Sequence, residues 1–192
     1  MRNKIKKEVR EWLINESFET PNIFYHGSPY EFDRFDFNRV GSGDGLSKFG
    51  YGLYFADNRD TAIYYAKELS KGKLRDGGFN LYMVKLLNLN EYYSWEDETP
   101  SHVAECVIRK LIAIGKESDA EQIMSEYEDY GNYWEFRNMY DTLSYVLGGN
   151  KTATEFLYSC GVSGVIGQSP SHDGNIFVSY SDNVKIIDSD KL

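Results

Sequence analysis

Gly50-Tyr51-Gly52-Leu53-Tyr54-Phe55-Ala56-Asp57 is the stretch on which the reading of this 192-residue chain turns. The two glycines set a turn that a Cβ would restrict. Leu53 to Ala56 is a brief apolar run of strand length. Asp57 to Asp60 supplies N-cap candidates for a helix through Ser70, with Ala62, Tyr65, Ala66 and Leu69 on one face. Upstream, Ile23-Phe24-Tyr25-His26 reads as a short strand stopped by Gly27-Ser28-Pro29. Between these strands, Phe32, Phe35 and Phe37 anchor an irregular segment. Residues 40–52 hold glycines at 41, 43, 45, 50 and 52 and read as loop.

Working outward, Phe79 to Leu87 predicts a long, mostly apolar strand of the central kind. Lys4 to Asn15 predicts an amphipathic helix through Ile5, Val9, Trp12 and Leu13, ended by Thr20-Pro21. Residues 90–151 differ in character, being acidic and helix-like. Val103, Val107, Ile108 and Leu111 share one face, and a second amphipathic stretch runs from Trp134 to Leu147. They read as a helical insertion, residues 91–151, within a single domain spanning 1–192. The chain closes with Phe156-Leu157, a strand over Gly161–Ile166, and a strand or strand pair over Ile176–Ile187. Strands and helices in this arrangement predict an α+β fold.

Lys and Arg number 21 and Asp and Glu 30, a net charge of −9. That balance argues against broad attraction to nucleic acid or an anionic membrane. The one basic cluster is Arg2, Lys4, Lys6, Lys7 and Arg10. Cys106 and Cys160 lie far apart in the chain without ligand spacing, so neither a zinc site nor a disulfide framework is expected, and a reduced, cytoplasmic setting follows. No apolar run is long enough for a membrane span, and no signal peptide is apparent. Aromatic residues make up 16% of the chain; tyrosines suit the walls of a pocket for a flat ligand, apolar on the face and polar at the tip.

The glycines invite two phosphate-binding readings, and both fail. Lys48 is preceded by Ser47 and followed by Phe49, which breaks the Walker pattern. Gly41-Ser-Gly43 meets Leu46 where the dinucleotide fingerprint needs glycine. What remains is an ordered set: His26-Gly27-Ser28 ending a strand, the Gly50–Asp57 run, and Tyr65 eleven residues after Tyr54 in a helix. This set resembles the His-Tyr-Glu class of ADP-ribosyltransferases, which includes the poly(ADP-ribose) polymerases and many bacterial and phage toxins. The resemblance covers residues 23–90 and 152–188 and is closest to single-domain, toxin-like members.

The resemblance implies a split β-sandwich core with flanking helices and a helical insertion. It implies NAD as substrate and no metal. The main chain at Gly27 would hold the nicotinamide carboxamide, His26 the adenosine ribose, and Ser28 the nicotinamide amide or ribose. Tyr54 and Tyr65 would sandwich the nicotinamide ring, a contact worth about 0.5–1.5 kcal/mol beyond burial. Phe55 and Ala62 belong to the same cofactor-binding set. The Gly41–Gly52 loop would act as a mobile flap over the NAD.

The late strand of the class carries a glutamate that steadies positive charge building on the ribose. Aligned without gaps, that position is Asn175, which with His26 and Tyr54 makes up the expected catalytic set. An amide accepts a hydrogen bond from a ribose hydroxyl but supplies neither full charge nor a base. Single transfer is therefore expected, and chain extension is not. Asp173 and Glu155 are nearby acids that read more simply as surface residues. His172 reads as a loop residue, and His102 has no evident partner.

The expected activity is mono-ADP-ribosylation of a macromolecular acceptor, protein ahead of RNA or DNA, with release of nicotinamide. A weakened NAD- or ADP-ribose-binding module is the alternative. A neutralising antitoxin or regulator is an expected partner, and a membrane is not. Deleting the acidic insertion is expected to spare NAD binding and alter target choice.

Overall fold

The sheet begins at β1, Phe24–Ser28, where alternate residues face opposite sides. The computed structural model describes residues 22–40, 48–69, 78–130, 134–170 and 172–192. The helix expected over Lys4–Asn15, its Thr20-Pro21 stop, the basic cluster and Gly41, Gly43 and Gly45 lie outside the described residues. The strand expected to stop before Gly27 continues through Gly27 and Ser28, because both pair with β3 (Asn80–Leu86) in register with Leu81 and Asn80.

The second strand, β2, is Leu53–Ala56, as its sequence predicts. Helix α1 follows over Arg59–Leu69. The Asn58 carboxamide oxygen caps it by accepting from the Asp60 and Thr61 amides at 2.8 and 3.3 Å. After β3 come β4 (Tyr92–Ser94), α2 (Ser101–Ala113), α3 (Glu117–Tyr130), α4 (Phe136–Leu147) and α5 (Asn150–Ser159). The chain then returns to the sheet as β5 (Gly164–Gln168), β6 (Asn175–Ser179) and β7 (Val184–Lys191). Gly161, at φ 84°, takes the left-handed turn that separates α5 from β5, so the strand expected from residue 161 starts later.

Among the described residues the strands form one hydrogen-bonded sheet in the order β4-β5-β6-β2-β1-β3-β7. Every ladder is antiparallel except β4 with β5. β3 is flanked on both sides but lies second from the edge, not at the centre. The closing segment is two strands, and β7 is bulged where Met83 pairs with Asp188 and Val84 with Ile186. The narrowest join is between β1 and β2, a single register pair, Tyr25 with Ala56.

Two apolar clusters sit on the two faces. Leu53 and Phe55 of β2 join Phe24, Tyr82 and Val84 beneath the 32–35 segment. Tyr54 and Ala56 face the helices, sharing a cluster with Val103, Val107, Leu111, Phe136, Met139 and Leu143. The stretch 91–151 is therefore not purely helical and not set apart. It contributes β4 to the sheet and most of the helical half of the core.

Candidate active site

His26 sits on β1 where the β1–β2 ladder ends. Its Nδ1–H donates to the Tyr54 carbonyl at 2.8 Å, since a carbonyl can only accept. The ring is enclosed by Phe35 at 5.1 Å, Phe55 at 5.7 Å, Phe32 at 6.3 Å and Tyr82 at 6.4 Å between centroids. Burial pulls its pKa below the ordinary imidazole range, and the Tyr54 carbonyl opposes this only in part. The neutral ring with Nδ1 protonated presents Nε2 as a hydrogen-bond acceptor.

Gly27 pairs with Leu81 of β3 and with no residue of β2. A Cβ there would stand 2.3 Å from Ala66 Cβ and 2.7 Å from the Ala62 carbonyl oxygen. Helix α1 thus rests directly on the main chain of β1, which only glycine permits. Ala62 is buried in that contact. Ser28 is buried, and its Oγ accepts from the Tyr30 amide at 3.1 Å. Phe55 is buried against Phe35.

Tyr54 points to the helical face. Its Oη accepts from the Phe49 amide at 3.0 Å and donates to the Gly50 carbonyl at 2.8 Å. Burial raises its pKa, so the phenol stays protonated. Tyr65 on α1 places its Oη 3.3 Å from Ser169 Oγ. His26 and the Tyr54 ring lie on opposite faces of the sheet and meet only through the Tyr54 carbonyl. No ring contact joins Tyr54 to Tyr65 among the described residues.

The 48–52 end of the glycine loop is pinned, not free to swing. The Tyr51 amide donates to Tyr140 Oη at 2.8 Å, and the Tyr51 carbonyl accepts from Thr154 Oγ1 at 2.9 Å. Phe49 is buried over Gly167, where a Cβ would meet its ring at 2.3 Å.

Asn175, at the start of β6, is exposed and bound to Asp57 just beyond β2. Its amide donates to Asp57 Oδ1 and its Nδ2 to Asp57 Oδ2, each at 2.9 Å. Gly174, at φ 105°, leaves room for the carboxylate, which a Cβ would meet at 2.4 Å. Asp57, read from the sequence as a motif end and an N-cap candidate, supplies the carboxylate bonded to Asn175. An open depression of about 180 Å³ borders this point, lined by Ser94, Glu96, Ile166, Gly167, Gln168 and Asn175.

The other candidates have local partners. The Asp173 carbonyl accepts from Thr61 Oγ1 at 2.9 Å, and Glu155 pairs with Lys151 at 3.8 Å. The His172 ring lies tilted against Tyr64, with centroids 4.0 Å apart. His102 does have a partner, Tyr93 Oη, 3.0 Å from its Nε2. Cys106 and Cys160 are far apart in sequence but adjacent in space, both free. Burial, aided by the neighbouring Cys106 thiol, pushes the Cys160 thiol up to about 12. Among the described residues no cluster of His, Cys, Asp and Glu is placed to hold a metal, and no helix is long and apolar enough to cross a membrane.

A family described as ADP-ribosyltransferase in polyvalent proteins matches residues 19–191, a span that runs through the helical stretch. Among solved structures, the M. tuberculosis MbcT–MbcA toxin–antitoxin complex is similar at 14% identity, covering 89% of this chain and 84% of that one, with a TM-score of 0.39. An anti-CRISPR protein is similar at 18% identity, covering 86% of this chain and 94% of that one, with a TM-score of 0.35. No curated protein matches.

Proposed function

Because the chain belongs to the family of ADP-ribosyltransferases found in polyvalent proteins, we propose that it transfers a single ADP-ribose from NAD to a protein acceptor and releases nicotinamide. The observation that carries this reading is the seam at His26. There the β1–β2 ladder stops, the imidazole takes the Tyr54 carbonyl, and Gly27 has no β2 partner. A ladder that opens beside a glycine leaves main-chain groups for a carboxamide, and Nε2 of neutral His26 is an acceptor for a ribose hydroxyl. Ser28, Tyr54 and Tyr65 complete the proposed cofactor surface, with Phe55 and Ala62 buried behind it as support and no metal.

In the reaction the C1′–N bond to nicotinamide breaks, nicotinamide leaves neutral, and the acceptor nucleophile bonds to C1′ and gives up its proton to solvent water. Positive charge gathers on the ribose between those events, so a negative group set in place beforehand lowers the barrier. Asn175 contributes its Oδ1 as an acceptor, and Asp57, gripped by the same residue, contributes the charge. Both Asp57 oxygens already accept hydrogen bonds, so the carboxylate is a poor free base. That favours single transfer onto an already nucleophilic group over chain extension. The net charge of −9 favours protein over RNA or DNA.

Incubation with labelled NAD and a cell lysate tests the reading. Label should appear in the protein fraction with nicotinamide released, and His26→Ala and Tyr54→Ala should each abolish it. Absence of both transfer and nicotinamide release would refute the enzyme. A second reading, a module that binds NAD or ADP-ribose without turnover, is favoured by the amide at position 175. Calorimetric NAD binding without product would select it.

A further inference from the structure

Tyr140 lies 89 residues beyond Tyr51, on a helix of the acidic stretch, yet it is almost fully buried, 1% exposed, against the glycine turn. Its Oη accepts from the Tyr51 amide at 2.8 Å and donates to the Asn150 carbonyl at 3.0 Å. Thr154 Oγ1 stands 3.1 Å from the same Oη and donates to the Tyr51 carbonyl at 2.9 Å. Two hydroxyls from α4 and α5 therefore hold both main-chain polar groups of Tyr51. Gly50, at φ 85°, receives the ring itself, since a Cβ there would stand 2.5 Å from Tyr140 Cζ.

The consequence runs on to Tyr54. Its Oη donates to the Gly50 carbonyl and accepts from the Phe49 amide. The phenol of Tyr54 is thus set by a turn whose conformation is set by Tyr140. A phenylalanine would fill nearly the same core volume. A buried phenol costs free energy unless its hydroxyl is bonded, so the hydroxyl's use is the directed bond to Tyr51.

We propose that Tyr140, seconded by Thr154, is a positioning residue for the NAD site, holding Gly50 and Tyr51 so that Tyr54 presents its ring. This rests on the NAD reading given above. It makes the helical stretch part of the site's framework: any ligand or partner that displaces α4 against α5 changes NAD affinity through Tyr51.

The test compares Tyr140→Phe, Thr154→Val and Thr154→Ser with the wild-type chain. Each is measured for NAD KM and kcat and for amide hydrogen exchange at Phe49 and Tyr51. Tyr140→Phe and Thr154→Val should raise KM roughly tenfold, the equivalent of one lost hydrogen bond, with kcat changed little, because uniform binding is what is lost. Exchange at Phe49 and Tyr51 should quicken while that of β3 does not, and Thr154→Ser should restore both. A lowered melting temperature with unchanged KM and unchanged exchange at those amides would overturn the proposal and leave Tyr140 a core residue only. If the wild-type chain neither binds nor turns over NAD, the NAD reading itself fails. Exchange at Phe49 and Tyr51 then decides whether Tyr140 sets the turn.

Discussion

Asn175 grips the Asp57 carboxylate at both oxygens, main-chain N–H to Oδ1 and Nδ2 to Oδ2, each at 2.9 Å. The Asp57 amide in turn donates to the Asn175 carbonyl at 3.2 Å. Residues 118 apart in sequence thus extend the β2–β6 ladder by one polar pair. Asn175, at the start of β6, thus holds a carboxylate from just beyond the end of β2.

Asp57→Asn should cut transfer at least tenfold, on the order of what one preorganised electrostatic contact supplies. Asp57→Ala should also lower stability by about 1–2 kcal/mol, a charge-assisted pair discounted for its exposure. Single-turnover rates and urea midpoints read the two effects apart. An unchanged rate in Asp57→Asn would remove Asp57 from the chemistry.

Acid sensitivity should trace to His26. Its pKa in the folded chain is lowered by burial, so above the ordinary imidazole value, about 6.5, the ring is neutral in both states and contributes no slope. Below that value the unfolded chain takes up a proton that the native ring refuses. Stability should therefore fall as pH falls from 7 towards 5, by up to about 1.4 kcal/mol per pH unit. Urea midpoints of His26→Gln across the same range should show a flatter dependence; an identical slope would assign the effect to other groups.

Gly27→Ala should cost about 1–3 kcal/mol through overpacking, since the new Cβ meets Ala66 Cβ at 2.3 Å and the Ala62 carbonyl at 2.7 Å. Adding Ala66→Gly should recover part of the melting temperature but not all, because the Ala62 clash is with main chain. A neutral single variant would mean that α1 is free to lift off β1.

Removing residues 101–147 should abolish the fold instead of sparing NAD binding. Val103, Val107 and Leu111 of α2 and Phe136, Met139 and Leu143 of α4 share one cluster with Ala56, Leu81, Ile176 and Val178 of the sheet. Without those helices that sheet face loses most of its apolar cover. A cooperative thermal transition and native-like near-ultraviolet dichroism in the deletion variant would contradict this.

Local chemistry made much of the molecule readable in one dimension. Leu53–Ala56 and α1 stand where apolar runs, a cap and helical spacing put them, because those signals act over a few residues. The family was legible for the same reason, since its motif residues are near one another along two short segments. Tertiary contact alone decided the rest. Three residues inside an acidic helical stretch became β4 because β5 offered a parallel edge. His26 and the Tyr54 ring fell on opposite sheet faces through strand alternation and register. Tyr140 reached Tyr51 across 89 residues, and Asp57 reached Asn175 across 118. Such bonds carry no periodic signature; they exist only once two distant backbones are packed, which is why the sequence by itself shows the motif residues but not the groups that hold them.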